Sequence, residues 1–177
     1  MSLPPLVATF STLVLSIIAD GIAMSKPLVS LEGFYDLHLF PEKDRFDYTV
    51  SETHKASQAM HLVAIVSLMM ALFLSVANAF MVSAADATSR AAKRLTILTT
   101  AVTALGVGSY LIAMVTLLKV ALDYKHIADD IPLPTPKVHI ESGAIMDIVG
   151  VFAAMSSFML VMWAVVRSDR QGYLRII

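Results

Sequence analysis

The sequence contains no cysteine and little charge. Of its 177 residues, 15% are Asp, Glu, Lys or Arg, against about a quarter in a typical soluble domain. The absence of cysteine excludes a disulfide, a thiolate metal site, a cysteine nucleophile and palmitoylation. Thirteen basic residues against fourteen acidic ones leave no excess of positive charge for nucleic acid. Asn78, the single asparagine, is followed by Ala-Phe, so the chain carries no N-glycosylation sequon.

The missing charges leave four long apolar stretches. Asp, Glu, Lys and Arg do not occur in residues 1–19, 56–85, 95–118 and 148–166, and a bilayer-spanning helix needs about 20 apolar residues. These stretches predict an all-α membrane protein, a bundle of four transmembrane helices at residues 6–24, 57–85, 95–120 and 143–166. They lack the alternation of a β-barrel. The first stretch has no preceding Lys or Arg and no A-x-A cleavage site, so we expect a retained helix.

Cations near the membrane ends predict the orientation. Arg90, Lys93 and Arg94 crowd the short turn between spans two and three, and Arg167, Arg170 and Arg175 follow span four. The positive-inside rule places both turn and tail in the cytoplasm, and with them both termini. Residues 1–177 are then one membrane domain with outer loops at 25–56 and 121–142. The plasma membrane is the expected location, with the mitochondrial inner membrane as the alternative.

The outer loops show the period of two that indicates β-strands. Apolar and polar residues alternate over 36–39, over 45–50 and over 137–141. Pro41 opens the polar segment between the first two stretches, which predicts an antiparallel hairpin that the third strand can join. The predicted fold class is therefore a four-transmembrane-helix bundle with a small extracellular antiparallel β-sheet. Outer-loop interaction is expected at Gly33, Phe34, Tyr35, Phe46 and Tyr48.

Small side chains recur at helical spacing in three of the spans. Such rows let helix backbones approach closely in lipid, so they predict packing within the bundle, with dimerisation as the alternative. The positions are Ser67, Ala71, Ser75, Ala79 and Ser83 in span two, Ala104 and Gly108 in span three, and Gly150 and Ala154 in span four.

Three polar residues lie within or near the apolar spans. Asp20 and Asp147 fall near the outer ends of their helices, where we expect interfacial contacts with water, and a proton or cation relay is the alternative. Asn78 lies in mid-span and predicts a hydrogen bond between helices. The five histidines, at 38, 54, 61, 126 and 139, map to the outer half without the spacing of a metal motif. No catalytic residue, metal or cofactor is expected, since the chain has no nucleophile elbow, P-loop or dinucleotide fingerprint.

Three short segments carry a resemblance to a known family. Residues 33–38, Gly-Phe-Tyr-Asp-Leu-His, are similar to the Gly-Leu-Trp-x-x-Cys motif of the claudin first loop, with His38 in place of cysteine. Gln58-Ala59-Met60-His61 and Ser142-Gly143-Ala144 resemble the family's openings of spans two and four. With its layout, the chain resembles the superfamily of claudins, peripheral myelin proteins and epithelial membrane proteins, which includes auxiliary gamma subunits of calcium channels and AMPA receptors.

The resemblance implies four helices, inside termini and a larger first outer loop with strands. The expected function is that of a non-enzymatic auxiliary subunit that binds a larger membrane protein and modulates a channel or receptor. Self-assembly into a cell junction, with copies of itself as partners, is one alternative. An accessory subunit of an energy-converting or redox membrane complex is the other. The bilayer is a partner in each case, and nucleic acid in none.

Overall fold

The computed structural model describes residues 3–31, 35–39, 52–84, 90–129 and 138–174. Within these ranges the chain forms four long helices and three short strands. The helices are α1 (Leu3–Ser25), α2 (Glu52–Ala84), α3 (Arg90–Asp129) and α4 (Ser142–Leu174). The strands are β1 (Pro27–Leu31), β2 (Tyr35–His38) and β3 (Val138–Ile140).

All four helices are long and apolar enough to cross a membrane. The apolar segments are Val7–Ser25, Glu52–Phe80, Lys93–Asp123 and Ser142–Arg167, and each predicted span overlaps one of them. Large apolar side chains face outward, with Phe73 and Phe80 each 71% exposed. In water such a surface would promote aggregation, whereas in a bilayer it would contact the apolar lipid tails. The chain is therefore described as a multi-pass membrane protein.

The helices pack in a ring in which α2 contacts α3 and α1 contacts α4 most extensively, and α3–α4 and α1–α2 contacts close the ring. Gly106 marks how closely α2 and α3 approach, because a Cβ built there would lie 3.1 Å from the Leu68 side chain. Leu13, Tyr110 and Val151 are among the residues that fill the interior. The packing uses small residues where helices touch, as expected in lipid.

A three-stranded antiparallel sheet of order β2-β1-β3 lies at the end of the bundle where α1 ends and α4 begins, called the sheet end below. Leu31 pairs with Tyr35 of β2 and with Val138 of β3. The Glu141 amide donates to the Leu28 carbonyl over 3.1 Å, which ties the start of α4 to the strand that follows α1.

The strands differ in part from the sequence prediction. β2 and β3 overlap two of the alternating segments, but the central strand is β1, which has no polar-apolar alternation and was not predicted. The expected partner strand at 45–50 lies outside the described residues. Alternation of polar and apolar residues is the signal that predicts a half-exposed strand, and the Pro-Leu-Val-Ser-Leu sequence of β1 does not carry it.

The end of α4 opposite the sheet carries a membrane-boundary feature. The Arg167 guanidinium lies over the Trp163 ring, 5.1 Å from its centroid. Trp and Arg are typical of the membrane interface, where an amphipathic ring and a snorkelling cation sit at headgroup level. This pair lies at the end of the bundle where α3 begins, with Lys93 and Arg94 exposed in its first turns.

Candidate functional site in the bundle interior

Four polar side chains, one from each helix, meet inside the bundle. They are Asp20 of α1, His61 of α2, Tyr110 of α3 and Asp147 of α4, and none is more than 2% exposed. Because neighbouring helices run antiparallel, the last turns of α1 and the first turns of α4 lie at the same end. The two aspartates therefore share one level of the bundle, and we call these four residues the buried cluster.

His61 and Asp147 form the hydrogen-bonded pair of the buried cluster. His61 Nε2 lies 3.1 Å from Asp147 Oδ1, and His61 Nδ1 lies 2.9 Å from the main-chain carbonyl oxygen of Ser57. A carbonyl oxygen only accepts, so Nδ1 carries a proton and donates to it. Ser57 itself is fully buried and donates to the Ala113 carbonyl of α3 over 3.0 Å. The imidazole is thus fixed on both sides.

Asp20 is fully buried, and neither of its carboxylate oxygens has a hydrogen-bond partner among the described residues. One of its oxygens, an imidazole nitrogen of His61 and an oxygen of Asp147 all lie within 4.8 Å of one another. An unpaired carboxyl in the interior costs far more than one that is bonded. Such a group in a membrane span is a functional-site hypothesis by default.

Tyr110 closes the buried cluster on the α3 side. Its ring meets the His61 ring edge to face, with centroids 5.5 Å apart and an interplanar angle of 68°. Its hydroxyl is buried, has no hydrogen-bond partner in the part of the chain that the structure describes, and points at Gly150. A Cβ at Gly150 would overlap the Tyr110 hydroxyl, so the absence of a side chain on α4 makes room for the phenol.

Apolar layers enclose the buried cluster above and below. Toward the sheet end, Leu28, Leu39 and Leu117 form a small core. The Leu39 carbonyl is held by His54 Nε2 at 2.8 Å and by Gln58 Nε2 at 2.6 Å. On the other side lies the main core, which contains Leu13, Leu68, Val107, Val151 and Ala154. The buried cluster is a polar layer within an apolar stack.

The small residues predicted for helix packing fall into two groups. Most of them turn inward: Ser67, Ala71, Ser75, Gly150 and Ala154 are buried, and Ala79 is half-buried. Ala104 is exposed, and a Cβ built at Gly108 would meet no atom within 4 Å. The side chain of Ser83 lies outside the described part of the structure. The row on span three thus faces away from the bundle at Ala104, and Gly108 is half-buried with open space beside it.

The expectation that Asp20 and Asp147 contact water near the helix ends is wrong, since they are 0% and 2% exposed. The helices extend beyond the apolar stretches, and the sheet with its leucine layer covers the ends, so both aspartates lie deeper than their sequence positions suggest. Asn78 of α2 donates to the Thr96 hydroxyl of α3 over 3.0 Å. This is the hydrogen bond between helices that the sequence predicts.

The outer-loop prediction is largely outside the described residues. This applies to Gly33, Phe34, Phe46 and Tyr48, while Tyr35 is described only as a backbone position in β2. The histidines separate clearly: His54 and His61 are buried, and His139 is exposed. From the sequence alone, all five are predicted in the outer half without distinction, whereas His54 and His61 lie on α2 and turn inward.

Two residues of the buried cluster, His61 and Tyr110, were missed as site residues. The available signal was spacing on α2, where His54, Ser57, His61, Ala64 and Leu68 recur every three or four residues and so share one face. That face proves to be the inner one. Tyr110 gave no comparable signal, because a single tyrosine in an apolar span is equally suited to lipid contact.

The buried cluster can hold a proton shared among two carboxyl groups and an imidazole, or a cation bound by all three. A tyrosine hydroxyl next to it can donate a hydrogen bond to either. No protein-family model and no curated protein sequence matches the chain. The function is therefore argued from this geometry.

Proposed function

We propose that the protein is a non-enzymatic accessory subunit of a larger membrane assembly, and that it holds a proton or a cation at the buried cluster. This corresponds to the accessory role in an energy-converting or redox complex. The observation that carries the proposal is the Asp20 carboxyl group, which is fully buried, makes no hydrogen bond to the described residues and faces His61 and Asp147.

The cost of burying these groups supports a functional reading. A carboxylate at membrane depth costs several kcal/mol, depending on water access and partners. His61 offsets that cost for Asp147 through their 3.1 Å bond, whereas Asp20 makes no hydrogen bond to the described residues. A bundle that needed stability alone would be served as well by an apolar residue at position 20.

The packing beneath the buried cluster supports the accessory role. Ser16 donates to the Gly150 carbonyl over 2.8 Å, and Ser157 donates to the Thr12 hydroxyl over 2.7 Å. These bonds hold the hydroxyl groups in place and do not include Asp20. Within the described residues, no hydrogen-bonded chain leads from Asp20 to the far end of the bundle. We propose that a partner subunit completes the route.

Asp20→Asn is expected to remove a titrating carboxyl group from the membrane interior. In lipid vesicles, wild-type protein should show the infrared C=O stretch of a protonated carboxylic acid that grows as the pH is lowered, and the variant should lose part of that band. Asp123→Asn is the matched control. Asp123 is exposed on α3, so the C=O band of its carboxyl group should exchange rapidly in heavy water. A band identical in wild type and Asp20→Asn contradicts the proposal.

A second candidate function is the auxiliary subunit of a channel or receptor, or a self-assembling junction protein, in a claudin-like chain with both termini in the cytoplasm of the plasma membrane. The outward face of α3 favours it. Ala104 is exposed there, and the space around Gly108 is open. A neighbouring transmembrane helix can approach closely at such small residues.

Gly108→Ile is expected to weaken a lateral contact of this kind. A branched side chain would hold a partner helix away from α3, so the tagged variant should co-elute with at least about tenfold less partner after isolation in mild detergent, equivalent to about 1.4 kcal/mol. Gly21→Ile is the control, since Gly21 likewise has no atom within 4 Å of its Cβ position but lies on α1. Equal recovery of partner with both variants, or elution of wild type as a monomer, argues against this candidate.

A further inference from the structure

We propose that Asp20, His61 and Asp147 bind a divalent transition-metal ion of the zinc type inside the bundle. The inference rests on the proposed function and deepens it, because it names the cation. The three ligands come from α1, α2 and α4, so the metal would join three of the four helices at one level.

The ligand set and its spacing suit zinc. Zn²⁺ accepts imidazole nitrogen and carboxylate oxygen at about 2.0 to 2.2 Å, commonly from three protein residues with a fourth position left for water. Ligand atoms of such a tetrahedral site are about 3.4 Å apart, by the geometry of those bond lengths. His61 Nε2 and Asp147 Oδ1 are 3.1 Å apart, and all three ligand atoms lie within 4.8 Å of one another.

The His61 ring has the orientation of a metal ligand. A ligating histidine almost always donates its other ring N–H to a carbonyl or carboxylate, which fixes the tautomer. Here Nδ1 donates to the Ser57 carbonyl over 2.9 Å. In the neutral ring Nε2 then carries the lone pair, and it points at Asp147. The lone pair of Nε2 and the Asp147 carboxylate are both hydrogen-bond acceptors, so a proton or a cation must lie between them.

Asp20 supplies the second and independent observation. Both of its oxygens are buried without a hydrogen-bond partner, although the His61–Asp147 pair alone would already satisfy the imidazole. A metal ion would give this carboxylate the partner it lacks. The hard cations Ca²⁺ and Mg²⁺ are less suited, since they need six or more oxygen ligands or several waters, and the buried cluster offers two carboxylates and one imidazole.

The test uses the full chain in detergent, freed of metal by chelation and then dialysed against Zn²⁺ or Co²⁺. We expect about one metal ion per chain by mass spectrometry of the metal content, and strong visible absorption for Co²⁺, which reports a tetrahedral site. The melting temperature should rise with Zn²⁺. Affinity should fall at low pH, because protons compete for the ligands.

Asp20→Asn and His61→Gln should each lower the Zn²⁺ affinity by at least about 100-fold, since even second-shell partners are worth 10- to 100-fold. Asp123→Asn and His139→Ala, both at exposed positions, should leave it unchanged. Retention of Zn²⁺ by Asp20→Asn, loss of Zn²⁺ from His139→Ala, or binding of Ca²⁺ or Mg²⁺ in preference to Zn²⁺ overturns the inference. If a variant fails to fold, the Co²⁺ spectrum of the wild type still tests whether the chain holds a tetrahedral metal site.

The infrared experiment separates this inference from the proposed function. If wild type binds neither Zn²⁺ nor Co²⁺ and the Asp20 carboxyl band still titrates, the buried cluster holds protons and the metal inference is wrong. If the metal is absent and the band does not depend on Asp20, both are wrong.

Discussion

Replacing His61 with leucine is expected to lower the free energy of unfolding by about 3 to 5 kcal/mol, the cost of leaving one member of a buried ion pair without its partner. The 3.1 Å bond to Asp147 would be lost, and two buried carboxyl groups would face each other across an apolar side chain. Unfolding in mixed micelles of mild detergent and dodecyl sulfate, followed by circular dichroism, measures the change.

The double variant His61→Leu/Asp147→Leu tests the mechanism. Replacing Asp147 as well removes the carboxylate that His61→Leu leaves without its partner. Apolar replacements of buried ion pairs are often neutral or stabilising. We therefore expect the double variant to recover most of the loss. His139→Leu is the control, since a change at that exposed position should stay within about 0.5 kcal/mol. If the stability losses of His61→Leu and Asp147→Leu add up to the loss of the double variant, His61 and Asp147 do not stabilise each other.

Gly143→Ala is expected to be the most damaging glycine substitution among the described helices. A Cβ at this position would lie 2.5 Å from the Pro27 carbonyl oxygen and 2.8 Å from that of Lys26. Both contacts are main-chain atoms where α1 passes into β1, so no side-chain rotation relieves them. Relief would require moving α1 away from α4, which would break the bond between the Glu141 amide and the Leu28 carbonyl.

Overpacking of this kind costs about 1 to 3 kcal/mol and sometimes more, and we expect the upper end because the neighbours are rigid. Gly21→Ala is the matched control on α1. Its Cβ would meet no atom within 4 Å, so the better helix propensity of alanine should stabilise the protein by up to about 1 kcal/mol. In thermal unfolding in the same detergent, we expect Gly143→Ala to lower the melting temperature relative to wild type and Gly21→Ala to raise it. Equal stability of the two would contradict the close approach at Gly143.

The sequence by itself determined that four helices cross lipid. Hydropathy is a local property, and charge-free runs such as 56–85 are long enough to define a span without knowledge of any neighbour. The hydrogen bond from Asn78 to α3 followed from the same reasoning, because a polar amide in hydrocarbon must find a partner nearby.

The tertiary structure alone decided which side chains meet. A helix in lipid is apolar on both its inner and outer faces, so the periodicity that marks the buried side of a soluble helix is weak, and the sequence does not report how each helix is rotated about its axis. Asp20, His61 and Asp147 are far apart in the chain and converge because α1, α2 and α4 are rotated toward one another. The same rotations turned Ser67 inward and Ala104 outward, although both belong to similar rows of small residues.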